Sequence, residues 1–425
     1  MINRKAILVW TMGTISAGEI SIAVKFTEKL SAEEYDIMYL LPKHYKAVLP
    51  VNTKSISLDP SDDKNKNRSI IENVIHDFKP DYIFLSDPYT AHFASSWTGF
   101  SFTDIKDLNI PLIGLDEYNC KGIKRKKDYY GGMIVNNRDL IEECDFVVQD
   151  VPVNSVYDSK NKNTWAYSLY SSEDIVEFDK EKLRKELYSE LGIPCDTILM
   201  MLPISTWETV NMNRLPILEG LIENLIELLL FYINEAVIEE KICFLHVGKQ
   251  KINPIQSEKL VYYNIDSLNS ELYEKCIKSS DVFFSFNAVS VSLSKAVLNK
   301  VPSILMFNEK TLNFDKFENT IKKLPPRYGE IVSRIHIAYP FYASTFGWYN
   351  FIRPIIEEDL YFKLFSIVPV FSYSKMCNVI KDAIDKKGYF DNKNNYIDEY
   401  MESLMKLKSP CDIMEEISAI NRSSK

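Results

Sequence analysis

Short, wholly apolar runs alternate with longer amphipathic ones through most of this chain, and that alternation restricts the fold more than any other feature. Residues 6–10 (Ala-Ile-Leu-Val-Trp), 35–41, 82–87, 110–116 and 146–150 each read as a strand, and 54–58 as a shorter, alternating one. Helical runs over 19–30 and 69–78 separate several of them. Strands apolar on both faces belong to parallel sheets covered on each side by crossover helices. After an irregular stretch at 151–172 a second series begins. It reads as helix 181–191, strand 197–203, helix 215–236, strands 241–248 and 260–265, helix 269–279, strand 281–286, helix 290–299 and strand 301–307. The expectation is α/β, with two doubly wound domains over 1–170 and 171–385. Their strand ends are expected to face each other across a cleft. An aromatic-rich insertion occupies 320–373, and helices over 374–387 and 395–406 finish the chain, with 386–425 forming a C-terminal extension.

Composition removes several function classes. The 425 residues carry 59 acidic and 50 basic side chains, a net charge of −9, which argues against nucleic acid as the main partner. Seven cysteines lie dispersed with no CxxC pair, as expected of reduced thiols in a cytoplasmic protein without structural zinc. The N-terminus opens directly into a strand and reads as no signal peptide. The most apolar helical run, 221–238, includes Glu223, Asn224, Glu227, Asn234 and Glu235, so no membrane span is expected. There is no GxxxxGK[ST], GxSxG or HExxH. The Asp-Pro-Ser-Asp-Asp run at 59–63 reads as solvated loop rather than a metal site, and 124–127 (Lys-Arg-Lys-Lys) as a basic loop.

Two segments carry a family resemblance. Residues 11–20 (Thr-Met-Gly-Thr-Ile-Ser-Ala-Gly-Glu-Ile) sit where GT-B glycosyltransferases have their first glycine-rich turn. Residues 281–302 resemble the donor-binding segment of that superfamily: a strand, a small-residue turn, a helix and a Val-Pro strand. The run 110–118 is similar to a poorly characterised bacterial branch. The resemblance implies two Rossmann-like domains, with the C-terminal helices packing back on the first. It also implies metal-independent transfer of a sugar from a nucleotide-diphosphate donor to a small-molecule or peptide acceptor. No cofactor is implied beyond that nucleotide sugar as co-substrate.

On the donor side the candidates are Ser205 and Thr206 after strand 197–203, and Gly248 and Lys249 after strand 241–248. Asn287, Ser290, Ser292 and Lys295 join them at the helix following strand 281–286. A helix start presents unpaired N–H groups and a positive dipole end to a phosphate. The same hydroxyls also suit ordinary N-capping, and His246 suits a satisfied buried histidine. The resemblance is broken at Lys295, where the family usually has a glutamate for the ribose hydroxyls, and at Phe286 and Asn287, where it has glycines.

On the acceptor side a general base is needed within hydrogen-bond reach. Glu19 is placed for it at the start of the first helix, although a carboxylate there also simply complements the helix dipole. Asp116 is the second candidate and His92 the third, with Asp87 and Glu117 at neighbouring strand ends. Two other functions fit this architecture: a sugar-nucleotide epimerase, and a binding or scaffold protein derived from the same fold. Oligomeric state has no signature in the sequence.

Overall fold

The computed structural model describes residues 4–116, 138–151, 163–170, 179–194, 196–213, 216, 219–237, 239–252, 259–307, 319, 321–335, 360–391 and 393–423. The chain divides into two compact units. Unit 1 comprises residues 1–174 and 402–425, and unit 2 residues 175–401.

Unit 1 is built on seven parallel strands, β1 (Lys5–Trp10), β2 (Tyr35–Pro42), β3 (Ser55–Leu58), β4 (Tyr82–Leu85), β5 (Leu112–Leu115), β6 (Phe146–Val151) and β7 (Thr164–Ser168). Their spatial order is β3-β2-β1-β4-β5-β6-β7. Every residue of β4, β5 and β6 is buried, as continuous apolar strands require when both faces are covered. The helices are α1 (Gly18–Thr27), α2 (Lys64–Phe78), α3 (Pro88–Phe93), α4 (Ser95–Thr98) and α5 (Phe102–Lys106). Asp63 starts α2 by accepting the Asn65 N–H, and Asp87 starts α3 by accepting that of Tyr89.

The helix Pro410–Ser423 belongs to unit 1. Trp165 Nε1 donates to Glu416 at 2.7 Å, Lys5 Nζ to Ser418 Oγ at 2.8 Å, and Cys411 Sγ to the Lys29 carbonyl at 3.0 Å. Its apolar stripe of Ile413, Met414 and Ile417 is fully buried.

Unit 2 carries six parallel strands, β8 (Thr197–Pro203), β9 (Lys241–Val247), β10 (Leu260–Ile265), β11 (Val282–Ser285), β12 (Ser303–Phe307) and β13 (Ser366–Pro369). Their order is β10-β9-β8-β11-β12-β13. The helices that concern the site are α6 (Lys180–Leu191), α7 (Thr206–Asn213), α8 (Leu221–Ala236), α9 (Ser270–Ser279) and α10 (Val291–Leu298). Most of α8 is buried, including Leu225, Ile226, Leu229 and Ile233. Its polar face turns Glu227 toward Arg327 and Arg334. Two buried phenols tie neighbouring helices to the end of β13: Tyr232 donates to the Val370 carbonyl and Tyr328 to that of Phe371, each at 2.8 Å. No helix among the described residues is long and apolar enough to cross a membrane.

Several elements differ from the sequence expectation. The helix expected over 215–236 starts only at Leu221, after Gly220 turns the chain at φ 75°, and a separate helix, α7, precedes it. β7 lies inside the stretch read as irregular, a short helix, Lys386–Asp391, separates the two expected C-terminal ones, and a further helix follows them. Residues 386–401 cluster with unit 2, not with the final helix. The cause is local: Lys386 pairs with Asp281 at 2.7 Å, and Tyr389 donates to the Ser303 carbonyl at 2.7 Å. In the aromatic-rich insertion, Tyr361, Phe362 and Phe365 form a packed edge-to-face cluster with centroids 5.1–5.5 Å apart. Residues 336–359 of that insertion, Glu117 and the basic run 124–127 lie outside the described residues.

Candidate functional site

In both sheets the strand order reverses beside the first strand of the unit, between β1 and β4 in unit 1 and between β8 and β11 in unit 2. Ligands of open α/β sheets bind at such switch points, beyond the carboxyl ends of the strands.

At the unit 1 switch point the chain leaves β1 through Thr11, whose hydroxyl donates to the Leu40 carbonyl at 3.2 Å. It leaves β4 through Ser86, whose N–H and hydroxyl both reach the Trp10 carbonyl at 3.2 Å. Asp87 then commits both oxygens to α3. One accepts the Tyr89 N–H at 2.8 Å and the other the Thr90 hydroxyl at 2.7 Å. The same Thr90 hydroxyl lies 3.2 Å from Oε1 of Glu19. A hydroxyl has one proton, so the shorter contact to Asp87 takes most of it.

Glu19 is buried in the first turn of α1. It folds back over Gly13, where a Cβ would sit 2.7 Å from its Oε1. Nearby, the Tyr45 phenol is pushed up to about 12, first by burial and then by the charge of Glu19.

The other two base candidates are placed differently. Asp116 is fully buried at the end of β5 and accepts from Gln149 Nε2 at 3.0 Å. His92 is half-buried in the last turn of α3, and its pKa is lowered by burial and by the nearby Arg138. The structure therefore joins Glu19 to Asp87 through Thr90, and gives Asp116 a separate partner.

At the unit 2 switch point Ser205 and Thr206 lead from β8 into α7, with Thr206 exposed. Ser205 is committed to Glu208, since its N–H and hydroxyl both donate to Glu208 Oε2, at 2.8 and 2.7 Å. The arrangement is half of a capping box, with the glutamate reaching back to the residue before the helix. Burial pushes the Glu208 carboxyl up to about 7 against the two bonds from Ser205, which favour its ionised form.

After β11 the turn is held by its own side chains. Ser285 Oγ accepts the Asn287 N–H at 2.9 Å and Asn287 Oδ1 that of Val289 at 3.1 Å. Ser290 caps α10 by accepting from Ser292 N at 3.2 Å and Leu293 N at 3.4 Å. The Ser292 hydroxyl is 2.7 Å from that of Tyr273. Lys295 lies in the last turn of α10 and is ion-paired with Glu274 of α9.

On β9, His246 is a satisfied core histidine. Its Nδ1 faces the Tyr262 hydroxyl at 2.8 Å and its Nε2 the Gln250 carbonyl oxygen at 3.2 Å. Burial lowers its pKa to about 4, so the ring is neutral. Gln250 in turn donates to Thr209 on α7. A Cβ at Gly248 would meet Gln250 Oε1 at 2.5 Å and His246 Nε2 at 2.9 Å, so this network requires glycine there. Lys249 is exposed.

Glu208, Tyr273 and Gln250 escaped the sequence reading. Only Glu208 had a signal: Ser205 followed three residues later by a glutamate is the capping-box pattern at a helix start.

Two Rossmann-like units in one chain are the fold of the GT-B glycosyltransferases, and solved structures agree. UGT89C1 of Arabidopsis thaliana, complexed with quercetin, aligns with a TM-score of 0.55 at 11% identity over 98% of this chain and 99% of its own. The spinosyn rhamnosyltransferase SpnG, complexed with thymidine diphosphate, gives 0.52 at 7% identity over 97% of this chain and 100% of its own. A Listeria monocytogenes protein assigned as a UDP-N-acetylglucosamine 2-epimerase gives 0.51 at 11% identity over 100% and 97%. The chain belongs to the family of unknown function DUF6365, whose model matches residues 26–422. No curated protein matches it by sequence.

Proposed function

We propose that this protein is a glycosyltransferase that moves a sugar from a nucleotide-diphosphate donor to a hydroxyl or amine of a small-molecule or peptide acceptor, without a metal ion. One observation carries the reading. The unit 2 switch point is flanked by two helix starts, α7 after β8 and α10 after β11, each bearing hydroxyl side chains. The donor diphosphate is assigned to these loops, against Thr206, Ser290, Ser292 and the first-turn N–H groups. Fixed dipoles aimed at the leaving diphosphate stabilise the charge that grows there in the transition state. Gly248 lets Gln250 and His246 pack beneath this rim, and the exposed Lys249 adds positive charge.

Unit 1 supplies the base. Glu19 takes the proton of the acceptor hydroxyl, whose oxygen bonds to the anomeric carbon. The bond from that carbon to the diphosphate oxygen breaks, and the nucleoside diphosphate departs with the electron pair. Asp116 and the neutral ring of His92 are the reserve bases.

The test is release of nucleoside diphosphate from a panel of nucleotide sugars, with and without a mixed acceptor pool. Release that needs acceptor, and that falls by about 10²–10⁴-fold in Glu19→Gln, is the expected result. Conversion of the donor alone would identify an epimerase. No turnover and no stabilisation by any nucleotide would identify a scaffold.

A further inference from the structure

Glu208 sits at the rim just assigned to the donor diphosphate, and a carboxylate there is out of place. It is 5% exposed, and none of the ion pairs among the described residues includes it. Lys249, the cation of this rim, is exposed to solvent and is not its ion-pair partner. From α9 comes Tyr273, bonded to Ser292, while Glu274 and Lys295 neutralise each other. From β9 comes the neutral His246, linked through Gln250 to Thr209, the residue after Glu208. The Ser205 hydroxyl, the natural partner for a phosphate after β8, points its proton at Glu208 instead.

We infer that Glu208 is a positioning residue that couples donor binding to proton uptake. The diphosphate binds the rim in which Glu208 carries a proton, and the ionised carboxylate excludes it. Two effects act in the same direction. An ionised Glu208 repels an incoming dianion across a site of low dielectric. It also holds the single proton of the Ser205 hydroxyl, which cannot then be donated to a phosphate oxygen. Once Glu208 is protonated, its carbonyl oxygen still accepts the Ser205 N–H, and the hydroxyl is released to turn toward the ligand. Burial already places the carboxyl near neutrality, so little pH change is needed to move it between these states.

This inference rests on the donor reading, and its test separates the two. UDP-glucose and dTDP-glucose are titrated into the full chain by calorimetry between pH 6 and 9, in two buffers of different ionisation enthalpy. The phosphates of both probes stay doubly charged over that range. The wild type is expected to lose affinity about tenfold per pH unit above 7 and to take up a proton on binding. Glu208→Gln is expected to show a flat profile and, at pH 8.5, at least tenfold tighter binding. Binding with equal slopes in the two proteins, or with no proton uptake by the wild type, overturns the role of Glu208 and leaves the donor site standing. Failure of both probes to bind either protein overturns the donor reading and this inference together. Should the variant not fold, the proton uptake of the wild type decides alone.

Discussion

Gly13 and Glu19 occupy the same space: a Cβ on the glycine would lie 2.7 Å from the Oε1 of the glutamate. The carboxylate owes its position over the β1–α1 turn to that missing carbon. Gly13→Ala is expected to displace it and lower transfer at least tenfold, while stability falls by no more than about 1–3 kcal/mol. Paired measurements of turnover and urea unfolding check this. An alanine variant with full activity would remove Glu19 from the base role.

His246 makes a prediction about acid. Below pH 6.5 the unfolded chain takes up its proton, whereas the folded ring resists until about pH 4. Stability attached to this ring is therefore complete above 6.5 and is lost as the pH falls toward 4, by up to about 3 kcal/mol. Urea unfolding of the wild type against His246→Gln at pH 7.5 and pH 4.5 should show the difference between them shrinking on the acid side.

Glu208 has the opposite sign. Its folded carboxyl keeps a proton up to about pH 7 that the unfolded chain gives up near 4.5. The native state is favoured below 4.5 and loses that contribution as the pH rises through 7. Relative to the wild type, Glu208→Gln should gain up to about 3 kcal/mol between pH 4.5 and pH 8, with no ligand present. Melting temperatures at those two pH values report it.

At the amino-terminal edge of the central unit 2 strands, just before β11, Asp281 joins α6 and the C-terminal region to the sheet. Its carboxylate accepts from Leu199 N at 2.9 Å, Arg184 at 2.8 Å and Lys386 at 2.7 Å. The two cations and the Leu199 N–H hold the carboxyl below the usual carboxylate range against its burial. Asp281→Ala leaves these partners without their acceptor and is expected to cost about 3–5 kcal/mol. Nucleotide affinity of the folded fraction should stay unchanged, which separates this edge from the binding rim.

Much of the fold was legible because parallel strands buried on both faces have a pattern of their own. Runs such as Ile-Leu-Val-Trp in β1 and Ile-Leu-Met-Met in β8 have no polar alternation to confuse with helix. The elements that escaped lack a periodic apolar signal. β7 is an edge strand, Thr-Trp-Ala-Tyr-Ser, beside a polar run, and α7 holds Trp207, Val210 and Met212 among polar residues. The candidate site was legible as positions and not as partnerships. Glu19 and Asp87 are 68 residues apart in sequence, and only the fold brings Thr90 between them. The pairing of Lys295 with Glu274 likewise depends on α9 meeting α10, which no local pattern states.

Hydrogen–deuterium exchange with and without UDP-glucose or dTDP-glucose tests the central claim most directly, because it reports where on the chain a nucleotide sugar acts. The account predicts slowed exchange at 203–209 and 285–293, the two loops at the β8/β11 switch point. Slowed exchange confined to other segments, or none at saturating ligand, would contradict it.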